Sequence, residues 1–504
     1  MRFRFGWIVA ASALLIVGLI AAIKLGSDSR TEIGAEPLRF YCAAGIRKPV
    51  QEIIAEYEAE YGIPVESSYD GSGRLLSEIR AADGGDLYLA ADVAYTEEAR
   101  SFGIIDEVAN IAEQRPCLAI RKDSGLQGIT LQDLAAGTHR LSVADPKSAA
   151  IGRAARKMLA ETQVNGVSIW DPIFEKATVV RHTVNEIAND IKSGAADVGI
   201  IWDATAAQYE ELTVVPVSQF EGSPQQIVIS VLTASKQPTR ALHFLRYLTS
   251  QDRGLTNFKK YGYDTVAGDV WSESPEVRLF TGGLMHPAIQ ETITTFEQRE
   301  GVRVLQTPNG CGILVSQIRA GEHPDLYFAC DTSFMMKVED VFPQWEDLSR
   351  TEMVMVVNPE TAKELNISSL NDLATKPLKI GLCDPEHSAL GDLTRQLLRQ
   401  RNLWATVQPK VLDWPSTADR LVESVVIDGL DAAIVYRANT IRQKDALVVI
   451  DIDSPRATAI QPIAVAKDSS FPNLMGRLIR KLKSADSRQQ FESRGFRWIG
   501  GSTL

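Results

Sequence analysis

Histidine and cysteine are scarce in this chain: six and five, respectively, among 504 residues. None of the cysteines (Cys42, Cys117, Cys311, Cys330, Cys383) forms a C-x-x-C pair, so neither a zinc ribbon nor a thioredoxin-type redox site is indicated. No G-x-S-x-G, H-E-x-x-H or G-x-x-x-x-G-K-[ST] occurs, which removes the motif residues of serine hydrolases, zinc proteases and P-loop enzymes. Basic runs beyond three residues are also missing, and the formal net charge is −11. A chain so balanced lacks the electrostatic footprint needed to track nucleic-acid phosphates, and no nucleic-acid partner is expected. Hydrophobic residues at 45% and charged residues at 23% are the proportions of folded domains and exclude a disordered, collagenous or polytopic membrane chain. The length gives a soft prior of about three domains.

One apolar run stands out. Residues 6–23 carry no charge and lie between Arg2 and Arg4 on one side and Lys24 on the other, which suits a single transmembrane helix near the lower spanning length. The segment 1–24 reads as a membrane anchor or a signal peptide; the long apolar run and the lack of a clear cleavage site favour the anchor. The leading arginines then put the N-terminus in the cytoplasm and the rest of the chain across the membrane. Residues 25–37 have the Gly, Ser, Pro and charge of a tether. Five cysteines facing an oxidising space leave at least one unpaired in a monomer. Their apolar context reads as buried or disulfide-bonded sulfur, Cys311 with Cys330 being the pair to test. A soft-metal site with His286 and His387 is the lesser alternative.

The chain repeats itself. GSG at 71–73 recurs as GCG at 310–312, DLYLAAD at 86–92 as DLYFACD at 325–331, and DLA at 133–135 as DLA at 372–374, always offset by 239. After a five-residue deletion, ADVGIIWDA at 196–204 matches LDAAIVYRA at 430–438. Two units follow, 38–268 and 277–500, joined by a linker at 269–276. Units of this size are whole domains and not solenoid repeats. Within the first, LRFYCAA, IPVESSYDG and DLYLAAD read as strands, with PVQEIIAEYEAEYG and RLLSEIRAA as helices between them. This β-α-β-α-β order predicts an α/β fold with a parallel sheet and ligands at the carboxyl ends of its strands.

The loops at those ends are built from small residues that run into helices: Ala43-Ala44-Gly45, Gly71-Ser72-Gly73 and Ala149-Ala150-Ile151-Gly152. Unhindered N–H groups at a helix N-terminus attract anions, and a serine hydroxyl adds a donor without charge. Three such loops in one unit point to an oxyanion held by neutral donors. Catalytic candidates are thin by comparison. His139 and His182 fall in loop context as surface or capping residues, and the matched Asp197 and Asp431 read as turn or cap residues.

These residues together resemble the substrate-binding proteins of molybdate/tungstate ABC transporters. The motifs CAAGIRKPVQEI, YDGSGRLLSEI, GGDLYLAAD, ADPKSAAIGR, TVNEIANDIKSGAADVGIIWDA and FKKYGY carry the resemblance across residues 38–268. It implies a bilobal, type II periplasmic-binding fold in which a dehydrated tetrahedral oxyanion lies between two lobes. By position, the contacts would fall at Gly45 (often serine in the family), Ser72, Ile151, Val184 and Trp202 (commonly tyrosine). The second unit resembles the family more weakly, with matched positions at Leu284 or Gly283, Cys311, Leu390, Ala418 and Tyr436. Cys311 replaces the serine with a weaker donor. Lobes of 38–115 with 224–268, and of 116–223, would close on the ligand, and an ABC permease would read that closure. No cofactor or metal is implied. The expected function is capture of molybdate or tungstate outside the cytoplasm, with an anion-responsive sensor or protein-interaction scaffold as the alternative and an enzyme disfavoured by the neutral loops.

Overall fold

The computed structural model describes residues 36–501 except Asp83, Asn165 and Ser223. The expected membrane segment 1–24 and nearly all of the tether 25–37 lie outside the described residues. Among the described residues, no helix is long and apolar enough to cross a membrane.

The first region holds two sheets. The six-stranded one runs in the order Asp264–Thr265, Ile105–Gln114, Gln225–Leu232, Leu87–Ala90, Leu38–Ala43, Val65–Asp70. The five-stranded one runs Leu212–Val215, Pro116–Arg121, Val198–Trp202, Leu141–Ala144, Val179–Arg181. Strand Leu38–Ala43 is buried at every position but one, as expected of a strand covered on both faces. The helix Arg47–Tyr61 buries Val50, Ile53, Ile54 and Tyr57 against it at i, i+3, i+4, i+7 spacing. It stops at Gly62, whose φ of +66° suits a residue without Cβ.

The expectation of a parallel sheet needs correction. Leu38–Ala43 pairs in parallel with Val65–Asp70 and Leu87–Ala90, but Gln225–Leu232 is antiparallel to both Leu87–Ala90 and Ile105–Gln114. The sheets are mixed because the chain leaves the first sheet near residue 115, builds the second, and returns near 225 to lay down a strand in the opposite sense.

The second region repeats this plan with one change at the crossing. Pro116 pairs with Trp202 in the first region, and Met353 pairs with Tyr436 in the second. Proline has no N–H, and the ladder breaks there. Met353 donates its N–H to the carbonyl of Ala457 at 2.7 Å, so strand Glu346–Val357 continues and links its two halves into one ten-stranded sheet.

The two regions are tied together. Linker Asp269 accepts the N–H groups of Asn473 and Leu474 (2.8 and 2.9 Å), capping the helix Pro472–Leu482 of the second region. Trp271 donates its indole N–H to Tyr61 of the first at 3.1 Å and packs against the rings of His243 and Tyr247. Between the bodies, the buried carboxylate of Glu300 receives Arg477 (2.6 and 3.0 Å) and Arg246 (3.3 Å). Burial works to raise the Glu300 pKa, but Arg477 and Arg246 hold it below the usual range.

Candidate functional site

Strands Leu38–Ala43 and Val65–Asp70 and the end of Val198–Trp202 meet three helix starts around a cavity of about 20 Å³. Gly45, Ser72, Ile151, Val184 and Trp202 all line it. Ser72 opens the helix Ser72–Ala82, and its Oγ accepts the N–H of Ala91 at 3.2 Å. With that lone pair engaged, the hydroxyl proton is left to donate. Ile151 stands in the first turn of the helix Ala150–Ala160, whose N-cap Ala149 has no side-chain acceptor. The first-turn N–H groups there have no side-chain cap. Val184 opens the helix Val184–Ser193, where Thr183 Oγ1 takes the N–H of Glu186 at 3.3 Å and leaves that of Val184 uncapped. No lysine or arginine lines the cavity. The positive potential therefore comes from three helix N-termini. Its one lining carboxylate, Asp70, accepts the Gly71 N–H at 2.7 Å and pairs with Arg74 at 3.3 Å.

The lobes are shut on this cavity. Gly73 donates its N–H to the carbonyl of Ser148 across the cleft at 3.0 Å, and Arg153 meets Glu98 at 2.7 Å. A Cβ at Gly71 would stand 2.3 Å from the Ser148 oxygen, and one at Gly73 would stand 2.2 Å from the Lys147 oxygen. These glycines serve close approach of the two backbones. Gly45 faces a side chain instead: a Cβ there would be 2.7 Å from Val184 Cγ1, so a serine requires Val184 to shift in this closed form.

The second region builds a matching cavity of about 30 Å³, lined by Gly283, Leu284, Cys311, Leu390, Ala418 and Tyr436 among others. Cys311 Sγ accepts the N–H of Cys330 at 3.1 Å, repeating the Ser72 and Ala91 contact. Gly312 donates to the His387 carbonyl at 3.1 Å, repeating the clasp of Gly73. All five cysteines are buried and free; the hydrogen bond to Cys311, with burial, pushes the Cys330 thiol up, so it stays protonated. Besides Cys311 for Ser72 and Asn309 for Asp70, two differences separate the cavities. Tyr436 keeps a buried hydroxyl with no partner, and Asp419, held by Asn439 at 2.9 Å, lines the second cavity. The first-region counterpart of Asp419, at the 234 offset, is the neutral Asn185.

Ala91 and Thr183 join the linings without being among the expected contacts, and so do Gly71 and Cys330, which the sequence marks only as part of a small-residue loop and as a candidate disulfide partner. The glycine-flanked repeats at 71–73 and 310–312 were the available signal, since they mark close backbone approach. Asp197 and Asp431 are structural, accepting the N–H of Arg140 (2.9 Å) and of Lys379 (2.7 Å). His182 reaches Ser148 Oγ at 3.3 Å and His387 pairs with Asp384, both outside the cavity linings. Among the described residues, no group of three or more His, Cys, Asp or Glu is placed to hold a metal.

Comparison with known proteins places this architecture. A binding protein of Haemophilus influenzae is 28% identical over 233 residues, 46% of this chain and 92% of that protein. The molybdate-binding protein ModA of Escherichia coli is 22% identical over 239 residues, 46% of this chain and 92% of that protein. Among solved structures, the periplasmic molybdate-binding protein of Azotobacter vinelandii is 17% identical and covers 45% of this chain and 98% of its own, with a TM-score of 0.39. Each relative has the length of one of the two regions. The model of the bacterial extracellular solute-binding protein family matches twice, over residues 38–264 and again over 277–497, and the chain belongs to that family as a tandem repeat.

Proposed function

We propose that the chain captures a tetrahedral oxyanion, molybdate or tungstate, in the cleft of residues 38–268 and delivers it to an ABC permease. Residues 1–24 anchor it, 25–37 tether it, and both regions stand outside the cytoplasm. The observation that carries this reading is the convergence of three helix N-termini on a closed cavity of about 20 Å³ without a cationic side chain. That room suits a small inorganic anion and is far below the roughly 300–1,000 Å³ of sites for organic solutes. The molybdate-binding relatives support the same ligand class. Gly45, Ser72, Ile151, Val184 and Trp202 are the proposed contacts, through N–H groups and the Ser72 hydroxyl. In the second cleft, at 277–500, Leu284, Cys311, Leu390, Ala418 and Tyr436 hold the equivalent positions. Asp419 there is held by the neutral Asn439 amide, whereas Asp70 of the first cavity is paired with Arg74; Asp419 opposes an anion, so one oxyanion per chain is expected.

The test is isothermal titration of the full chain with molybdate, tungstate, sulfate and phosphate, beside Gly45→Leu, whose side chain enters the space of Val184. Saturation near one equivalent, lost in the variant, supports the proposal. Absence of heat and of any thermal shift with all four anions overturns it and moves the weight to a sensor or scaffold.

A further inference from the structure

Between the two regions lies a cavity of about 330 Å³, unrelated to either cleft. Its walls come from both bodies: Arg100 and Glu107 from the first, and Arg299, Glu300, Arg480 and Lys481 from the second, among others. Five cationic side chains face three carboxylates there, on a chain whose overall charge is −11. The carboxylates are already engaged, Glu107 and Asp106 by Arg299, and Glu300 by Arg477 and Arg246. Arg100, Arg480 and Lys481 make no side-chain hydrogen bond or ion pair among the described residues. Partial burial of its head group, then the neighbouring charges of Arg477 and Arg100, lowers the Arg480 pKa against the opposing pull of Glu300 and Glu107. The volume is that of an ordinary small-molecule site, and junctions between domains are a preferred place for one.

We propose that this junction is a second anion site, taking a small molecule with two or more negative charges that bridges Arg100 of the first region to Arg480 and Lys481 of the second. Planar guanidinium groups suit phosphate or carboxylate oxygens alike. A ligand that touches both bodies fixes their relative placement, beside the Glu300 contact that already joins them. The proposal does not depend on the oxyanion reading of the cleft.

The experiment is titration of the full chain at low ionic strength with inorganic pyrophosphate and, separately, with citrate, on the wild type, Arg100→Ser, Arg480→Ser and Gly45→Leu. Saturable binding of either anion near one equivalent is expected, weakened about tenfold or more by each arginine variant and untouched by Gly45→Leu. Pyrophosphate alone would mark a phosphoryl ligand, and citrate alone a polycarboxylate. Arg100 and Arg480 are exposed, so both variants should melt as the wild type does, and Arg100→Ser stands as the independent probe if Arg480→Ser does not. No binding by either anion, binding indifferent to both arginine variants, or binding abolished by Gly45→Leu would each overturn the proposal.

Discussion

Replacing Gly73 by alanine should weaken ligand capture while leaving the fold as stable as before, or more so. The new methyl carbon would lie 2.2 Å from the carbonyl oxygen of Lys147 and 3.0 Å from the Tyr95 hydroxyl. The first contact is more than about 1 Å short of van der Waals separation and meets backbone that no side-chain rotation can move. Lys147 belongs to the opposite lobe, so the clash exists only when the cleft is shut. Overpacking of this kind costs about 1–3 kcal/mol, borne by the closed state apart from the milder contact with the Tyr95 side chain of the same lobe, and converts to roughly 5- to 150-fold weaker binding. Gly73 also stands in the helix Ser72–Ala82, where alanine is favoured over glycine by about 1 kcal/mol. Affinity and melting temperature should therefore move in opposite directions. Titration with molybdate and a thermal melt of the apo chain read both. Wild-type affinity in a folded Gly73→Ala chain would refute the closure mechanism, and a lowered apo melt would show that the position is structural in the open form too.

Three further outcomes follow from the structure. Burial, with Arg246 nearby, pushes the His243 imidazole down to about 4 from 6.5, and the ring is hydrogen-bonded to Tyr57 at 2.8 Å. Between those pH values the unfolded chain binds a proton that the folded chain refuses, so stability is full above 6.5 and falls by on the order of 3 kcal/mol as pH drops to 4; denaturant titrations should show this slope flattened in His243→Gln. Glu300→Gln removes the charge between Arg246 and Arg477 and should cost about 3–5 kcal/mol, seen as a lowered denaturation midpoint; a loss under 1 kcal/mol would mean the three-way ion pair does not hold the junction. Tyr436→Phe deletes a buried hydroxyl without a partner and should leave apo stability equal or raise it by about 1 kcal/mol. A clear fall in the melt would show that this hydroxyl is satisfied in solution.

Much of this protein is legible in its residues alone, because duplication makes each motif testify twice. Motifs offset by 239, and by 234 after one deletion, placed Ser72 against Cys311 and Val184 against Ala418, and each set lines a single cavity. Alternation of short apolar runs with amphipathic helices fixed the strands and helices from Leu38 to Ala90, since burial on both faces and at 3.6-residue spacing leaves a local record. Long-range events leave no such record. Strand direction in the returning segment Gln225–Leu232 depends on where the chain goes after it crosses, so the mixed sheets were not legible. The N–H of Met353, against the ring of Pro116, decides whether two sheets join, and only pairing shows it. The glycines of GSG and GCG looked like ligand loops, yet their requirement comes from the backbone of the opposite lobe, 75 residues or so away in the chain. Arg100 and Arg480, 380 residues apart, meet across a junction that no spacing rule describes. Contacts between segments distant in sequence are set by the packing of whole bodies, and no local pattern of residues records them.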